Sequence, residues 1–249
     1  MSFALSTRRQ WLRQVGGLML SAGSGTPLWA QLPPRLRVTM VNLMPWSGTA
    51  NTGVLVELAR DIAQRSGLIF DIMPLPYARA LVMIEEGSID LMLAVQSARV
   101  EHSATCVASV SDAEITLLAR PNLVVSTLAD LHGKRVGHLR HADYDPDFAA
   151  ATDILKYEFN SYAQGLRMLQ IGRLDALVAI RGAIQYTLRS MGLPPANDSS
   201  MLTLRRAPVL LYQSRWCITS AATERALAQA CASLRRENRG HALLQHLLD

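Results

Sequence analysis

Charged and aromatic side chains follow the apolar, strand-like runs of this sequence. Arg99 comes shortly after the run Leu91–Val95, which is typical of a buried strand. Ligands of an open parallel sheet bind just outside the carboxyl ends of its strands, so Arg99 stands where a ligand-binding cation would lie. Its guanidinium offers paired N–H donors that match the two oxygens of a carboxylate. The pattern indicates a carboxylate-binding residue, and the alternative is an ordinary solvated arginine.

Other side chains with binding chemistry follow other predicted strands. Trp46 follows the first strand and Tyr77 the second, where aromatic rings would flank a ligand, although Tyr77 would also fit a core position. Arg79 is either a second contact for an anion or a charge on a helix surface. A polar loop at residues 140–144 precedes a helix that begins near Pro146, and a helix N-terminus favours anions. This loop is either part of the site or simply solvated.

The elements that must position these side chains alternate between strands and helices. Strand patterns cover residues 36–43 and 69–75, in addition to the run before Arg99. Helical spacing of apolar residues covers residues 52–65 and continues after Tyr77 in a second helix, which Gly87 ends. This β-α-β-α-β order predicts parallel strands joined by right-handed crossovers.

The second half of the sequence repeats this alternation. Apolar runs at 113–119 and 202–211 are expected to cross between the two halves. Residues 221–248 predict a long amphipathic helix or a helix pair broken near Gly240. The remaining elements are strand patterns at 136–139, 156–159 and 176–180, and helix patterns from Pro146, at 162–171 and at 182–192.

Three short motifs carry a resemblance to a known family. Gly87-Ser88-Ile89-Asp90 gives G-x-x-D before an apolar strand, and Gln96-Ser97-Ala98-Arg99 stands at T-x-x-R, with Gln96 in the threonine place. Residues 131–137 give L-x-G-K-x-V-G, and Gly172-Arg173-Leu174-Asp175 repeats G-x-x-D. In this order the motifs resemble the amino-acid-binding family of periplasmic solute-binding proteins, which has the type 2 periplasmic binding protein fold.

The resemblance implies an α/β fold of two lobes, each a mostly parallel sheet flanked by helices, joined by a two-strand hinge. We expect the first lobe to comprise residues 31–118 and 208–249, and the second lobe residues 119–207. The ligand would bind between the lobes, which close around it. The expected ligand-binding residues are Trp46, Tyr77, Arg79, Gln96, Arg99, Arg140, His141, Asp143 and Tyr144.

One position departs from the pattern of that family. The family usually carries an acid at the end of the strand after the second G-x-x-D, where it binds the α-amino group of the ligand. This sequence has Ile180 there, and an isoleucine cannot pair with an ammonium group. An ordinary α-amino acid ligand then requires that Asp143, Asp145 or Glu158 compensate. We therefore expect an anionic or carboxylate-bearing ligand, either an amino acid or an organic acid.

Several function classes are disfavoured by the composition and motifs. The formal net charge is +5, and no cluster of Lys or Arg with interleaved aromatic residues indicates nucleic-acid binding. Metal-ligand spacing, a phosphate-binding loop and the common hydrolase motifs are missing from the sequence, so we expect neither metal nor cofactor. The expected partners are the small-molecule ligand, the membrane subunits of an ABC importer and the export machinery, and we expect a monomer.

Two alternatives to a transport protein stay open. The family includes a few periplasmic dehydratases, and His138, His141 and Asp143 offer an acid or a base for such chemistry. The second alternative is a sensor or an orphan binding module that delivers its ligand to no transporter. Turnover of a bound ligand would distinguish the enzyme from both binding functions.

Residues 1–30 predict an export signal. The stretch from Thr7 to Arg13 contains Arg8 and Arg9 and resembles the twin-arginine signal, and a short apolar region follows. The alternative is a Sec signal that happens to contain two arginines. Since no cysteine precedes Cys106, we expect a soluble periplasmic protein without a lipid anchor. Cys217 and Cys231 either form a disulfide there or remain small buried side chains, as Cys106 would.

We predict that replacing Arg8 and Arg9 by lysine leaves the precursor in the cytoplasm, because the twin-arginine machinery reads the arginine pair. Fractionation and immunoblotting of the double variant would measure this. Export at the parental level would contradict the prediction and indicate a Sec signal.

Overall fold

The first part of the described chain forms a parallel β-α-β-α-β unit. The computed structural model describes residues 35–48, 52–197 and 200–248, so the predicted export segment lies outside the described residues. The elements of this unit are β1 (Arg35–Val41), α1 (Val54–Ser66), β2 (Ile69–Leu75), α2 (Tyr77–Glu85) and β3 (Leu91–Val95). Strand β1 pairs in parallel with both β2 and β3, as the sequence predicts.

Helix α1 shows why these segments form helices. Its buried side chains, which include Leu55, Leu58 and Ile62, recur at the spacing of one helix face. The helix ends at Gly67, which has a φ of +69° and donates its N–H to the carbonyl of Ala63. A glycine adopts this left-handed conformation without steric cost, so it ends the helix here.

A helix that the sequence analysis missed follows the first unit. It is α3 (Ala98–Ser103), and it places Arg99 in the first turn of a helix rather than in a loop. The next strand, β4 (Ala104–Ala119), begins nine residues before the predicted position 113. Its first half is rich in small and polar residues, so it lacks the apolar run that marks the second half.

The second half of the chain repeats the parallel alternation after a short 3₁₀ turn. Strand β5 (Arg135–Leu139) is parallel to both β6 (Leu155–Phe159) and β7 (Ala176–Ile180). The helices of this part are α4 (Pro146–Ala150), α5 (Tyr162–Gln170) and α6 (Arg181–Ser190).

The C-terminal part contains a returning strand and two helices. They are β8 (Met201–Ser214), α7 (Ala221–Arg236) and α8 (Arg239–Leu248). The helix pair breaks at Asn238, which has a φ of +52°, and not at Gly240. Gly240 instead lies in the first turn of α8, where the absence of a side chain lets the helix pack against Ser111 of β4.

Strands β4 and β8 join the two parallel groups. They pair antiparallel from Ala104 opposite Ser214 to Leu118 opposite Met201, and the register shifts at three points. One half of β8 also pairs with β3, and the second half of β4 pairs with β7. The result is one eight-stranded sheet in the order β2-β1-β3-β8-β4-β7-β5-β6, and not two separate sheets.

The two G-x-x-D motifs have the same structural role. Asp90 accepts hydrogen bonds from the backbone N–H of Arg37 at 2.7 Å, from its Nε at 3.0 Å and from its Nη2 at 2.8 Å. Asp175 accepts the same three bonds from Arg135, at 2.9, 3.1 and 3.1 Å. Each aspartate therefore ties the start of one parallel strand to the start of its neighbour.

These contacts change the acidity of both aspartates. Burial raises the pKa of Asp90, but the hydrogen bonds and the charge of Arg37 outweigh burial, so this pKa lies below its ordinary value. The hydrogen bond from Arg135 likewise lowers the pKa of Asp175. Both carboxylates are therefore ionised at neutral pH and contribute to stability in that form.

The three cysteines are unpaired, so the bridge between Cys217 and Cys231 that the sequence left open is not formed. Cys231 is buried, and Cys106 is exposed.

In the part of the chain that the structure describes, no helix has both the length and the apolar character needed to cross a bilayer.

We predict that Asp90→Asn lowers the free energy of unfolding by about 1–2 kcal/mol at pH 7, because it removes a charged acceptor of three hydrogen bonds at a partly exposed pair. The folded-state pKa of Asp90 is depressed, so its contribution is present above the unfolded-state pKa of about 3.9 and is lost as the pH falls through the lower folded-state value. Urea denaturation at several pH values would measure both effects.

Asp71→Asn is the matched control for this prediction. Asp71 also pairs with an arginine of β1, but through one contact of 3.4 Å to Arg35 between exposed side chains. We expect it to change the free energy of unfolding by less than about 0.5 kcal/mol. Equal effects of the two substitutions would show that the aspartate of the motif has no special structural role.

Candidate functional site

Ser97 lies at the carboxyl end of β3, where the sheet meets α3. It is buried and is the N-cap of α3, and its hydroxyl accepts a hydrogen bond from the N–H of Val100. The hydroxyl also accepts a bond from the Tyr77 hydroxyl at 3.2 Å. Tyr77 begins α2 at the carboxyl end of β2, so the two strands that flank β1 deliver these two side chains to one point.

The carboxylate of Asp143 reaches this point from the second parallel group. Asp143 lies in the loop between β5 and α4. The Ser97 hydroxyl donates to its Oδ1 at 2.6 Å, and the backbone N–H of Arg99 donates to its Oδ2 at 3.3 Å. A carboxylate of the chain itself therefore bridges the carboxyl ends of the two groups of strands. We call Tyr77, Ser97, Arg99 and Asp143 the bridging cluster.

Tyr77 of the bridging cluster and two nearby tyrosines, Tyr144 and Tyr162, have hydroxyls with raised pKa values. Burial raises the pKa of Tyr77 to about 12 and that of Tyr162 to about 12, and it raises the pKa of Tyr144 well above its ordinary value. The Tyr162 hydroxyl accepts a hydrogen bond from the N–H of Ile180 at 3.3 Å. All three hydroxyls are therefore neutral at physiological pH and serve as hydrogen-bonding groups without charge.

The guanidinium of Arg99 lies at the exposed side of the bridging cluster. Its Nη1 is 3.5 Å from Nδ1 of His141, a residue with a left-handed φ of +64°. Both side chains line an open groove of about 590 Å³, together with Glu85 and Asp143. The arginine thus keeps donors available beside the bound Asp143 carboxylate.

Two further predicted residues have partners outside the bridging cluster. The Gln96 side chain accepts a bond from Arg205 Nη2 at 3.2 Å and donates to Glu101 at 3.3 Å, so it joins β3 to β8 and α3. Arg140 Nε lies 3.5 Å from Glu158 Oε2 on the surface. The hydroxyl in the bridging cluster therefore belongs to Ser97, the residue after Gln96.

The other two predicted residues lie apart from the bridging cluster. Arg79 is exposed in the first turn of α2. Trp46 has only 3% of its surface exposed and lines a different cavity, beside β4, α6 and α8. The structure thus brings together Tyr77, Arg99, His141 and Asp143 of the predicted set, with Tyr144 close by.

Ser97 and Tyr162 are the site residues that the sequence analysis missed. A serine before a helical pattern is a typical N-cap, and this signal would have found both Ser97 and α3. No comparable signal marks Tyr162, because its hydroxyl bond to Ile180 joins residues that only the fold brings together.

Of the three groups proposed for acid or base chemistry, His141 and Asp143 share the open groove, whereas His138 does not line it. The ring of His138 packs edge-on against Phe148, and its Nδ1 is 3.1 Å from the carbonyl of Leu139. Burial lowers the pKa of His138, so the ring is neutral at physiological pH. Among the described residues, no group of three or more His, Cys, Asp or Glu side chains is placed to hold a metal ion.

Sequence comparisons do not assign a family. No protein-family model matches this chain, and no curated protein matches it.

Solved structures with a similar fold share little sequence identity with this chain. The BvgS VFT2 domain of Bordetella pertussis superposes with a TM-score of 0.71 at 17% identity, over 86% of this chain and 93% of that chain. The GluR0 ligand-binding core in complex with L-glutamate gives 0.70 at 17% identity, over 87% and 99%. The substrate-binding protein of an amino acid ABC transporter gives 0.66 at 13% identity, over 86% and 99%.

These similarities confirm the fold predicted from the sequence motifs. Each parallel group of strands is one lobe, and β4 and β8 are the two strands that cross between the lobes. The exact boundaries of the lobes, placed at residues 118 and 207 by the sequence, stay a prediction. The chain has the two-lobed α/β architecture of the type 2 periplasmic-binding-protein fold.

Proposed function

We propose that this protein is a periplasmic solute-binding protein, which captures a small carboxylate-bearing ligand between its lobes and delivers it to the membrane subunits of an ABC importer. Its export by the predicted signal and its action as a monomer belong to the same proposal. The fold supports a binding role, because the structures that share it include a ligand-binding core in complex with L-glutamate and the substrate-binding protein of an amino acid ABC transporter.

The position of Asp143 is the observation that carries the choice of ligand. Its carboxylate accepts bonds from the Ser97 hydroxyl and from the N–H of Arg99, with the Arg99 guanidinium beside it. These donors would serve the carboxylate of a ligand equally well. A ligand carboxylate would then replace Asp143 and gain the paired donors of Arg99.

The surroundings of Ile180 favour an organic acid over an α-amino acid. Ile180 is buried and offers no charge to an ammonium group. Asp145 does not compensate, since it is buried and accepts a hydrogen bond from the N–H of Phe148. Glu158 is paired with Arg140, and Asp143 is bound to Ser97. The cluster thus offers donors for an anion, and none of the three acids expected to compensate for Ile180 is unpaired.

A sensor module is the second candidate function. The contact between Ser97 and Asp143 joins the two lobes, and this suits a domain whose closure is read by an attached signalling protein. A histidine kinase sensor domain similar to periplasmic binding proteins has the same fold, with a TM-score of 0.69 at 17% identity. Genetic tests of whether solute binding is required for transport or for signalling would distinguish the two candidates.

Thermal-shift screening of the purified protein with organic acids, amino acids and amines would test the proposed function. A ligand that binds only the folded state raises the melting temperature. A best ligand without a negative charge would contradict the proposal. Conversion of a bound ligand, followed by mass spectrometry, would indicate an enzyme instead.

We predict that Arg99→Ala weakens binding of the best carboxylate ligand by at least a hundredfold. The reason is the loss of two charged hydrogen bonds, about 3 kcal/mol or more in total, at about 1.4 kcal/mol per tenfold. Calorimetric titration would measure this. Arg189→Ala on the exposed end of α6 is the matched control, and it should bind like the parent. Parental affinity of Arg99→Ala would remove this arginine from the site.

We predict the opposite effect for Asp143→Asn. The amide keeps the shape of the carboxylate, but it is a weaker acceptor and does not repel an incoming anion, so the ligand should bind at least fivefold more tightly. The ligand-free protein should lose stability, because the contact between the lobes weakens. Weaker ligand binding by this variant would show that Asp143 contacts the ligand instead of competing with it.

A further inference from the structure

A second cavity lies at the crossing strands, on the other face of β8 from the bridging cluster. Adjacent residues of a strand point to opposite faces. Arg205 accordingly bonds Gln96 beside the bridging cluster, whereas Arg206 lines the second cavity. This hinge cavity measures about 550 Å³, within the range of small-molecule sites. Its walls are β4, β8, Trp46 and the helices α6 and α8.

The walls of the hinge cavity carry an excess of positive charge. Asp112 is paired with Arg235 at 2.9 Å, and Glu114 is paired with Arg181 at 3.3 Å. Glu114 also accepts a bond from the hydroxyl of Thr203. Arg206 adds a further guanidinium, so the charge of the lining is net positive even when the ring of His241 is neutral.

Trp46 brings an aromatic wall to the same cavity. The residue lines the cavity and is 3% exposed. Its indole nitrogen is buried, so an occupant of the cavity would contact the exposed part of the ring and not the N–H group.

The cavity is bounded by tightly packed walls. A Cβ added at Gly182 of α6 would lie 3.0 Å from Leu244 of α8, and one added at Gly240 would overlap Ser111 of β4. Helix α8 is therefore in close contact with both α6 and β4. The cavity is preformed, so little ordering of side chains would accompany binding. Val110, Leu244 and Leu248 provide its apolar surface.

We propose that the hinge cavity is a second ligand site, which takes a small organic anion with an apolar body. The anionic group lies at Arg206, and the ring of Trp46 forms one wall of the site. The apolar body packs against α8. This site is separate from the proposed solute site, because it uses none of the residues of the bridging cluster.

Nuclear magnetic resonance of the indole N–H groups tests the proposal on the full chain. Sodium hexanoate is the probe, hexanamide is its neutral counterpart, and Trp46→Phe identifies the Trp46 signal. We expect hexanoate to shift this signal saturably, and hexanamide to have at least tenfold weaker effect. Arg206→Gln should weaken the response to hexanoate roughly tenfold, since it removes one charged hydrogen bond.

Three further variants make the test decisive. Arg189→Gln, the same change of charge at the far end of α6, should respond like the parent, and Arg206→Lys should restore part of the response. Arg99→Ala should also respond like the parent, which separates this site from the proposed solute site. The proposal is overturned if the Trp46 signal does not move, if hexanamide acts equally well, if Arg206→Gln has parental affinity, or if Arg99→Ala abolishes the response.

Discussion

The antiparallel pairing of β4 with β8 is the interaction on which the other features depend. Each strand is long enough to pair with its partner in both lobes, and each also pairs with a parallel strand of one lobe. The carboxyl ends of the parallel strands of both lobes therefore face a common space. Every residue discussed as a candidate ligand contact lies near that space or near the crossing strands themselves.

Within each lobe, one aspartate fixes the start of the parallel strands. The Arg37–Asp90 and Arg135–Asp175 contacts have the same pattern of three hydrogen bonds. Because both contacts lie at the amino ends of the strands, they leave the opposite ends free for binding chemistry. The contacts that stabilise each lobe and the candidate binding residues thus lie at opposite ends of the parallel strands.

Elements with one simple pattern of apolar side chains were predicted correctly from the sequence. Strands β2, β3 and β7 begin and end at the predicted residues, because each is a short apolar run between polar or turn residues. The first half of β4 was missed, since its strand conformation is stabilised by pairing with β8 and not by an apolar pattern. Helix α3 was missed because it is too short to show a period.

The candidate site was predictable only in part, for a similar reason. Residues at the carboxyl ends of strands were identified from topology, and this placed Tyr77 and Arg99 correctly after β2 and β3, the two strands that flank β1. The partnership of Ser97 with Asp143 joins two lobes, and the spacing of the two residues in sequence carries no information about it. The hinge cavity also depends on the packing of α8 against both lobes, which no local pattern encodes.

The Asp143 contact has a consequence for the concentration range in which the protein responds. A group on the same chain competes at an effective concentration on the order of millimolar, whatever the amount of free solute. The apparent affinity equals the intrinsic affinity multiplied by the fraction of molecules in which Asp143 has moved away from the donors of Ser97 and Arg99. The loop at residues 140–144 would thereby set the solute concentration at which the protein responds. Substitutions in this loop would change that concentration without altering the residues that select the solute.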